Sequence, residues 1–379
     1  MPRNITARIN RMQQRRSGME RWAALDESAR ISVLAKSLAT EAWETRATSS
    51  QPYTRYALGA MQEVGPDSTR VSIETAERVG RQLHDGLLAG GRRVAFRLQG
   101  SVPLNVHIRG VSDVDLLTLD LGFVTYDTYG VVAQRAGYFA SQETSLGRLL
   151  SLRAAAEPVL KNAYPKATVD TSGGKAIKLT GGSLARAVDV VPAHWYDTAT
   201  WQASQREADR AVRILDKSVP MTLDNWPFLH IERVGSRCDQ VLGGLRKGIR
   251  LAKNVKSDAE GDGTSIKLAS FDIAGLIYHA DQNALRAGFV HELAVLAEVQ
   301  RWLDVLYFNT AHAQTLRTPD GSRAILDTPA KVEGLKALSV EFDDLLREVA
   351  REQRPSLPAD VDLATCRQVV ATTYVAGAA

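Results

Sequence analysis

Cysteine is almost missing: Cys238 and Cys366 are the only two in 379 residues, far apart and without CxxC spacing. A disulfide framework and a structural zinc site are thereby excluded, and a reducing compartment fits. Also missing is any apolar run near the about 20 residues that span a bilayer, and the start carries no hydrophobic leader. A cytoplasmic protein with no membrane partner is expected. Charge of one sign is scarce too. Lys and Arg total 47 against 43 Asp and Glu, a net +4 that suits anionic ligands but makes no strong case for duplex nucleic acid. There is no internal repeat and no long low-complexity tract.

What is there supports a sizeable core. Hydrophobic residues make up 44% and charged residues 24%, ordinary for a globular chain, and the length calls for a bilobal unit or two domains. The basic stretch Arg3 to Arg16 reads as a solvated helix. Ile31, Leu34, Leu38 and Ala42 recur at helical intervals, and a turn-rich break follows at Ser49 to Tyr53. A helix from near Ser72 runs through Val79, Leu83 and Leu87 to a stop at Gly90-Gly91. The period then changes. Val94, Phe96 and Leu98 alternate with polar residues as in a strand, as do Val114 and Leu116 within 113–119. A helix is expected over about 144–162, with Pro158 inside it. Strands at 176–179 and 185–191 flank Gly181-Gly182-Ser183, a hairpin turn. Beyond Trp201 the pattern reads as helical almost to Arg354, broken at 258–264 and 309–322. The expected units are N-terminal helices over 1–63, a mixed-sheet core over 64–215, a helical domain over 216–355 and a tail over 356–379.

The chemistry concentrates in Gly100-Ser101 and, after ten intervening residues, Ser112-Asp113-Val114-Asp115-Leu116-Leu117. Asp113 and Asp115 are two apart on a strand, so both carboxylates point to one face. They repel each other unless a cation lies between them, and hard oxygen ligands suit Mg²⁺ or Mn²⁺ beside phosphate. Gly100 lets the backbone come close to a triphosphate, and Ser101 offers a hydroxyl and an N–H to its oxygens. A third carboxylate is needed for a second ion and for the proton of an attacking hydroxyl. Asp189, in Val188-Asp189-Val190-Val191-Pro192, is the candidate. Two ions about 3.5–4 Å apart would then activate the entering hydroxyl and stabilise the leaving pyrophosphate.

Gln99-Gly100-Ser101 with His107-Ile108-Arg109-Gly110-Val111-Ser112-Asp113-Val114-Asp115 resembles the signature of bacterial CD-NTases. These belong to the polymerase β nucleotidyltransferase superfamily, are relatives of cyclic GMP-AMP synthase, and act in CBASS antiphage signalling. Val188 to Ala193 is similar to their third-aspartate strand. Leu245 to Lys256 with Ile266 to Phe271 is similar to their donor-triphosphate element. The resemblance spans roughly 54–285. It implies an α+β fold in two lobes, a small mixed sheet joined to a helical domain, with the site between them. Asp113, Asp115 and Asp189 would be the metal ligands and Gly100 and Ser101 the phosphate holders. Lys253 and Ser270 would touch the donor triphosphate and Phe271 would stack on a base. Lys247, Arg250 and Lys256 compete with Lys253 on one basic helix, and core packing competes with stacking for Phe271. Many members carry Gly-Thr where this chain has Asn105-Val106, which removes a hydroxyl near the substrate. His107 reads as a packing histidine; Asp120, Asp127 and His194 read as turn or surface residues.

The activity implied is synthesis of a cyclic di- or trinucleotide from nucleoside triphosphates, ATP and GTP among them. Two kinds of alternative stay open: nucleotide transfer to a small molecule, protein or RNA end, and an inactive nucleotide-binding scaffold. The small residues of Val375 to Ala379 fit a conjugating partner, and a regulatory protein of the same system is a further expected partner.

Overall fold

The computed structural model describes residues 4–19, 23, 27, 30, 31, 34, 41–110 and 112–376. Ten helices and seven strands carry the argument: α1 Ile5–Ser17, α2 Pro52–Met61, α3 Pro66–Ala89, β1 Val94–Gln99, β2 Val114–Tyr126, α4 Ser145–Ala163, β3 Thr168–Asp170, β4 Ile177–Thr180, β5 Val188–Asp197, β6 Ala211–Asp216, β7 Met221–Asn225, α5 Pro227–Gln240, α6 Gly244–Gly261, α7 Ser270–Tyr278, α8 Ala294–Phe308, α9 Pro329–Gln353 and α10 Leu363–Thr372.

One sheet runs β1-β2-β5-β4-β3, with β6 pairing the far half of β5 and β7 pairing β6. Only β2 and β5 run parallel; the other ladders are antiparallel. The fold is α+β, as expected. Strand β5 is long enough to change neighbours, pairing β4 through Val188–Val190 and β6 through Ala193–Tyr196. Helices α3 and α4 cover one face of the sheet, burying Val79, Leu83, Leu152 and Leu160 against Val114, Val188 and Val190. The apolar stripe of α3 follows the three-and-four spacing of one helical face. Pro66 opens α3 and Gly90 caps it; Thr144 caps α4 through Gly147 N, and Pro158 lies inside that helix.

Residues 211–225 correct the helical expectation beyond Trp201. They form the β6–β7 hairpin, and the helical lobe begins at Pro227. Short apolar runs such as Ala211 to Leu215 do not separate strand from helix by period. The hairpin also straddles residue 215, where the sequence reading divides the chain.

Helices α1 and α2 join the core of the helical lobe, where Ile9, Met12, Tyr56 and Leu58 share one cluster with Leu251, Val255, Leu338 and Phe342. The basic N-terminal segment forms a helix, but not a solvated one. Arg8 pairs with Asp262 and Glu341, and Arg15 pairs with Asp258, which also accepts from the Tyr56 hydroxyl. Ile31 and Leu34 are helical and exposed; Leu38 and the last three residues lie outside the described residues. Val375 packs on the core, and Ala376 O accepts from Arg46 Nε. Among the described residues, no helix is long and apolar enough to cross a membrane.

Candidate active site

The cleft between the lobes encloses a cavity of about 350 Å³, lined among others by Gly100, Ser101, Asp113, Asp115, Asp189, Lys253, Ser270 and Phe271. The eight residues expected to hold metal or nucleotide therefore line one cavity.

Sheet register brings the acidic residues together. Asp115 on β2 stands opposite Gln99 on β1 and, across the parallel ladder, opposite Asp189 on β5. Directly opposed residues share a face. Asp113 lies two residues before Asp115, ahead of β2. Gly100 follows β1 with φ +76°, and a Cβ there would lie 2.1 Å from Asp115 Oδ2. The position thus needs glycine for its left-handed backbone and for the closeness of the carboxylate.

The electrostatics of this corner are unfavourable as it stands. Burial, then Asp189 and Asp113, push the Asp115 carboxyl up to about 7. Burial and then Asp113 raise Asp189, whose buried Oδ1 has no hydrogen-bond partner. An orphaned oxygen among like charges fits a cation, which would reverse both penalties. Among the described residues no three His, Cys, Asp or Glu side chains form a ready-made metal cluster. Asp113 is instead ion-paired with Lys178 of β4.

The segment joining Gly100 to Asp113 is docked on the helical lobe, with Leu104 and Val106 in that lobe's core. Three cations of α6 grip it in series. Arg246 Nε donates to Leu104 O, Arg250 Nη1 to Asn105 O and Lys253 Nζ to Val106 O, at 2.8, 2.7 and 2.9 Å. Positions 246, 250 and 253 recur on one helical face, matched here to three consecutive carbonyls. Lys253 also donates to Ser112 Oγ at 3.2 Å. It is only 3% exposed, and burial lowers its pKa to about 7 against the pull of Asp115. The basic run is a docking rail rather than a solvated face. Of the competitors, Lys247 pairs with Glu292 and Lys256 with Glu260.

Ser270 begins α7 and is exposed in the cleft. The half-buried Phe271 ring stacks on His230 of α5, with centroids 4.4 Å apart, and Arg323 lies 5.3 Å from its centroid. Sequence reasoning missed His230, which is buried, has no partner at Nδ1, and is lowered to about 4 by burial. It also missed Asn225, which donates to Gln99 Oε1 in the cleft wall. A single His or Asn gives no periodic signal; the β6–β7 hairpin and α5 place them.

His107 is buried and bonded with Thr69, as a packing histidine should be. Asp120 and His194 correct the surface reading. Asp120 is buried against Arg148, and the buried His194 hydrogen-bonds with Ser145. Asp127 accepts from the Ala199 N–H and the Tyr196 hydroxyl.

No family model matches the chain. Individual relatives do. A cyclic dinucleotide synthase, CdnE, of Yersinia aleksiciae is 41% identical over 339 residues, covering 89% of this chain and 85% of its own. A c-di-GMP synthase of Capnocytophaga granulosa is 32% identical over 308 residues, covering 76% of this chain and 85% of its own. The solved structure of a STING-associated CdnE c-di-GMP synthase from Capnocytophaga granulosa matches with TM-score 0.68 and 27% identity, over 90% of this chain and 97% of that one. By sequence and by fold, the chain belongs to the CdnE cyclic dinucleotide synthases, nucleotidyltransferases of the CD-NTase family.

Proposed function

We propose that the cleft lined by Asp113, Asp115 and Asp189 condenses two nucleoside triphosphates into a cyclic dinucleotide, with GTP as a substrate, in antiphage signalling. The observation that carries this reading is the cross-strand pairing of Asp115 with Asp189, whose buried Oδ1 lacks a partner, beside the positive-φ Gly100. GTP is chosen because the Capnocytophaga granulosa relative is a c-di-GMP synthase, and the signalling role because a CdnE of that organism is STING-associated.

Asp113, Asp115 and Asp189 would hold Mg²⁺ or Mn²⁺, which when bound supplies charge neutralisation at the phosphates and a lowered pKa for the attacking hydroxyl. The rest falls to the chain. The bare backbone of Gly100 admits the donor triphosphate, and the Ser101 hydroxyl and N–H bond its oxygens. Asp189 accepts the proton of the acceptor's ribose hydroxyl. That oxygen bonds to the donor α-phosphorus as the bond to pyrophosphate breaks, and a second round closes the ring. Phe271 offers a face to one base and Ser270 a hydroxyl to the phosphates. Lys253 lines the same cavity and fixes the segment that presents Asp113.

Incubation with all four triphosphates and Mg²⁺, phosphatase treatment and mass spectrometry test the reading. The expected product is phosphatase-resistant and has the mass of a guanine-containing cyclic dinucleotide. Product formed only with an added small molecule, protein or RNA acceptor contradicts it.

A further inference from the structure

Lys178 stands opposite Asp189 in the β4–β5 ladder, and Asp189 stands opposite Asp115 across β5–β2. The three form one row across the sheet, so their side chains rise from one face. The row ends in an ammonium: Lys178 Nζ pairs with Asp113 Oδ2. Its charge also acts on Asp115 and Asp189, lowering both against the effect of burial. The reaction described above gives this lysine no task.

We infer that Lys178 is the resident counter-ion of the acidic cage, neutralising Asp113 until an entering divalent ion displaces it. The inference rests on the reading of the three aspartates as an ion cage. Carboxylates crowded in a partly buried corner stay ionised only beside a positive partner. An ammonium on a flexible four-carbon stem can supply one and withdraw, where a bidentate guanidinium would lock the site. The way out exists: the Lys178 side chain is 44% exposed, that of Asp113 20%. A bare ion must break this pair and brings no oxygens of its own to receive the ammonium. An ion arriving with a triphosphate brings phosphate oxygens to receive the displaced ammonium. Ion binding is therefore weak without nucleotide and strengthened by it.

Mn²⁺ titration followed by electron paramagnetic resonance, without nucleotide, tests this on the full-length wild type, K178M, K178Q, K178R, D113N and D189N. K178M and K178Q should bind Mn²⁺ tighter by about tenfold or more. In melting experiments they should lose stability in EDTA and gain more than wild type on adding Mn²⁺. K178R should bind no tighter than wild type. K217M, which removes an exposed lysine paired with Glu157, should match wild type. Methionine and glutamine variants with wild-type Mn²⁺ affinity would overturn the role of Lys178, provided D113N and D189N lose binding. Unchanged binding in D113N and D189N would overturn the cage reading itself.

Discussion

Gly100→Ala strikes the cleft through a single added carbon. The backbone there has φ +76°, a conformation that costs a residue with a Cβ about 1–2 kcal/mol. The new Cβ would lie 2.1 Å from Asp115 Oδ2, where real contacts essentially never fall below 3.0 Å. The difference, about 0.9 Å, has to come from moving the Asp115 carboxylate or the turn. A misplacement of about 1 Å in a catalytic constellation costs on the order of 100-fold in rate. Gly91→Ala is the control: φ is +77° and nothing lies within 4 Å of the added carbon. Urea melts and initial rates of pyrophosphate release separate the two effects. Both variants should lose about 1–2 kcal/mol of stability, but only Gly100→Ala should lose about two orders of magnitude in rate. A Gly100→Ala enzyme within a few-fold of wild type would refute the claim that Asp115 sits at the reacting centre.

Lys253→Met removes one buried and one partly buried hydrogen bond to the Gly100–Asp113 segment and should cost about 2–3 kcal/mol in urea melts, with a fall in turnover. Arg148→Ala leaves the buried Asp120 without its ion partner and should cost about 3 kcal/mol or more while sparing the rate per folded molecule. Phe271→Ala should raise KM for one triphosphate by about tenfold and change kcat less, as loss of a stacking face does. In EDTA, the Asp115 carboxyl, raised to about 7, makes the native state bind more protons than the unfolded chain between about pH 4 and 7. Its contribution therefore declines as pH rises through that window. Lys253, lowered to about 7, makes the unfolded chain bind more protons between about pH 7 and 10.5, so its contribution improves with rising pH there. Relative to Asp115→Asn, the metal-free wild type should lose melting temperature as pH rises from about 4 to 7 and stay lower above that, and Mn²⁺ should remove the loss.

The acidic corner was legible because its chemistry is local. Asp113 and Asp115 share a face by strand period alone, and Gly100-Ser101 mark the turn, with ten residues between Ser101 and Ser112. The partner on β5 was legible as a strand-borne Asp189, although only register makes it the neighbour of Asp115. The β6–β7 hairpin was not legible, since its short apolar run has no period that decides between strand and helix. The basic residues of α1 misled for a different reason. Composition favours a solvated face, whereas Arg8 and Arg15 find carboxylates supplied by distant parts of the chain. Lys178 and His230 have no sequence signal because their meaning lies in the strand opposite and the ring beside them.

The most direct test is anomalous diffraction from crystals grown with Mn²⁺ and a non-hydrolysable GTP analogue. Peaks bounded by the carboxylates of residues 113, 115 and 189, with the triphosphate against Gly100 and Ser101, are the predicted result. Manganese bound elsewhere, with the carboxyl of residue 189 uncoordinated, would contradict the account.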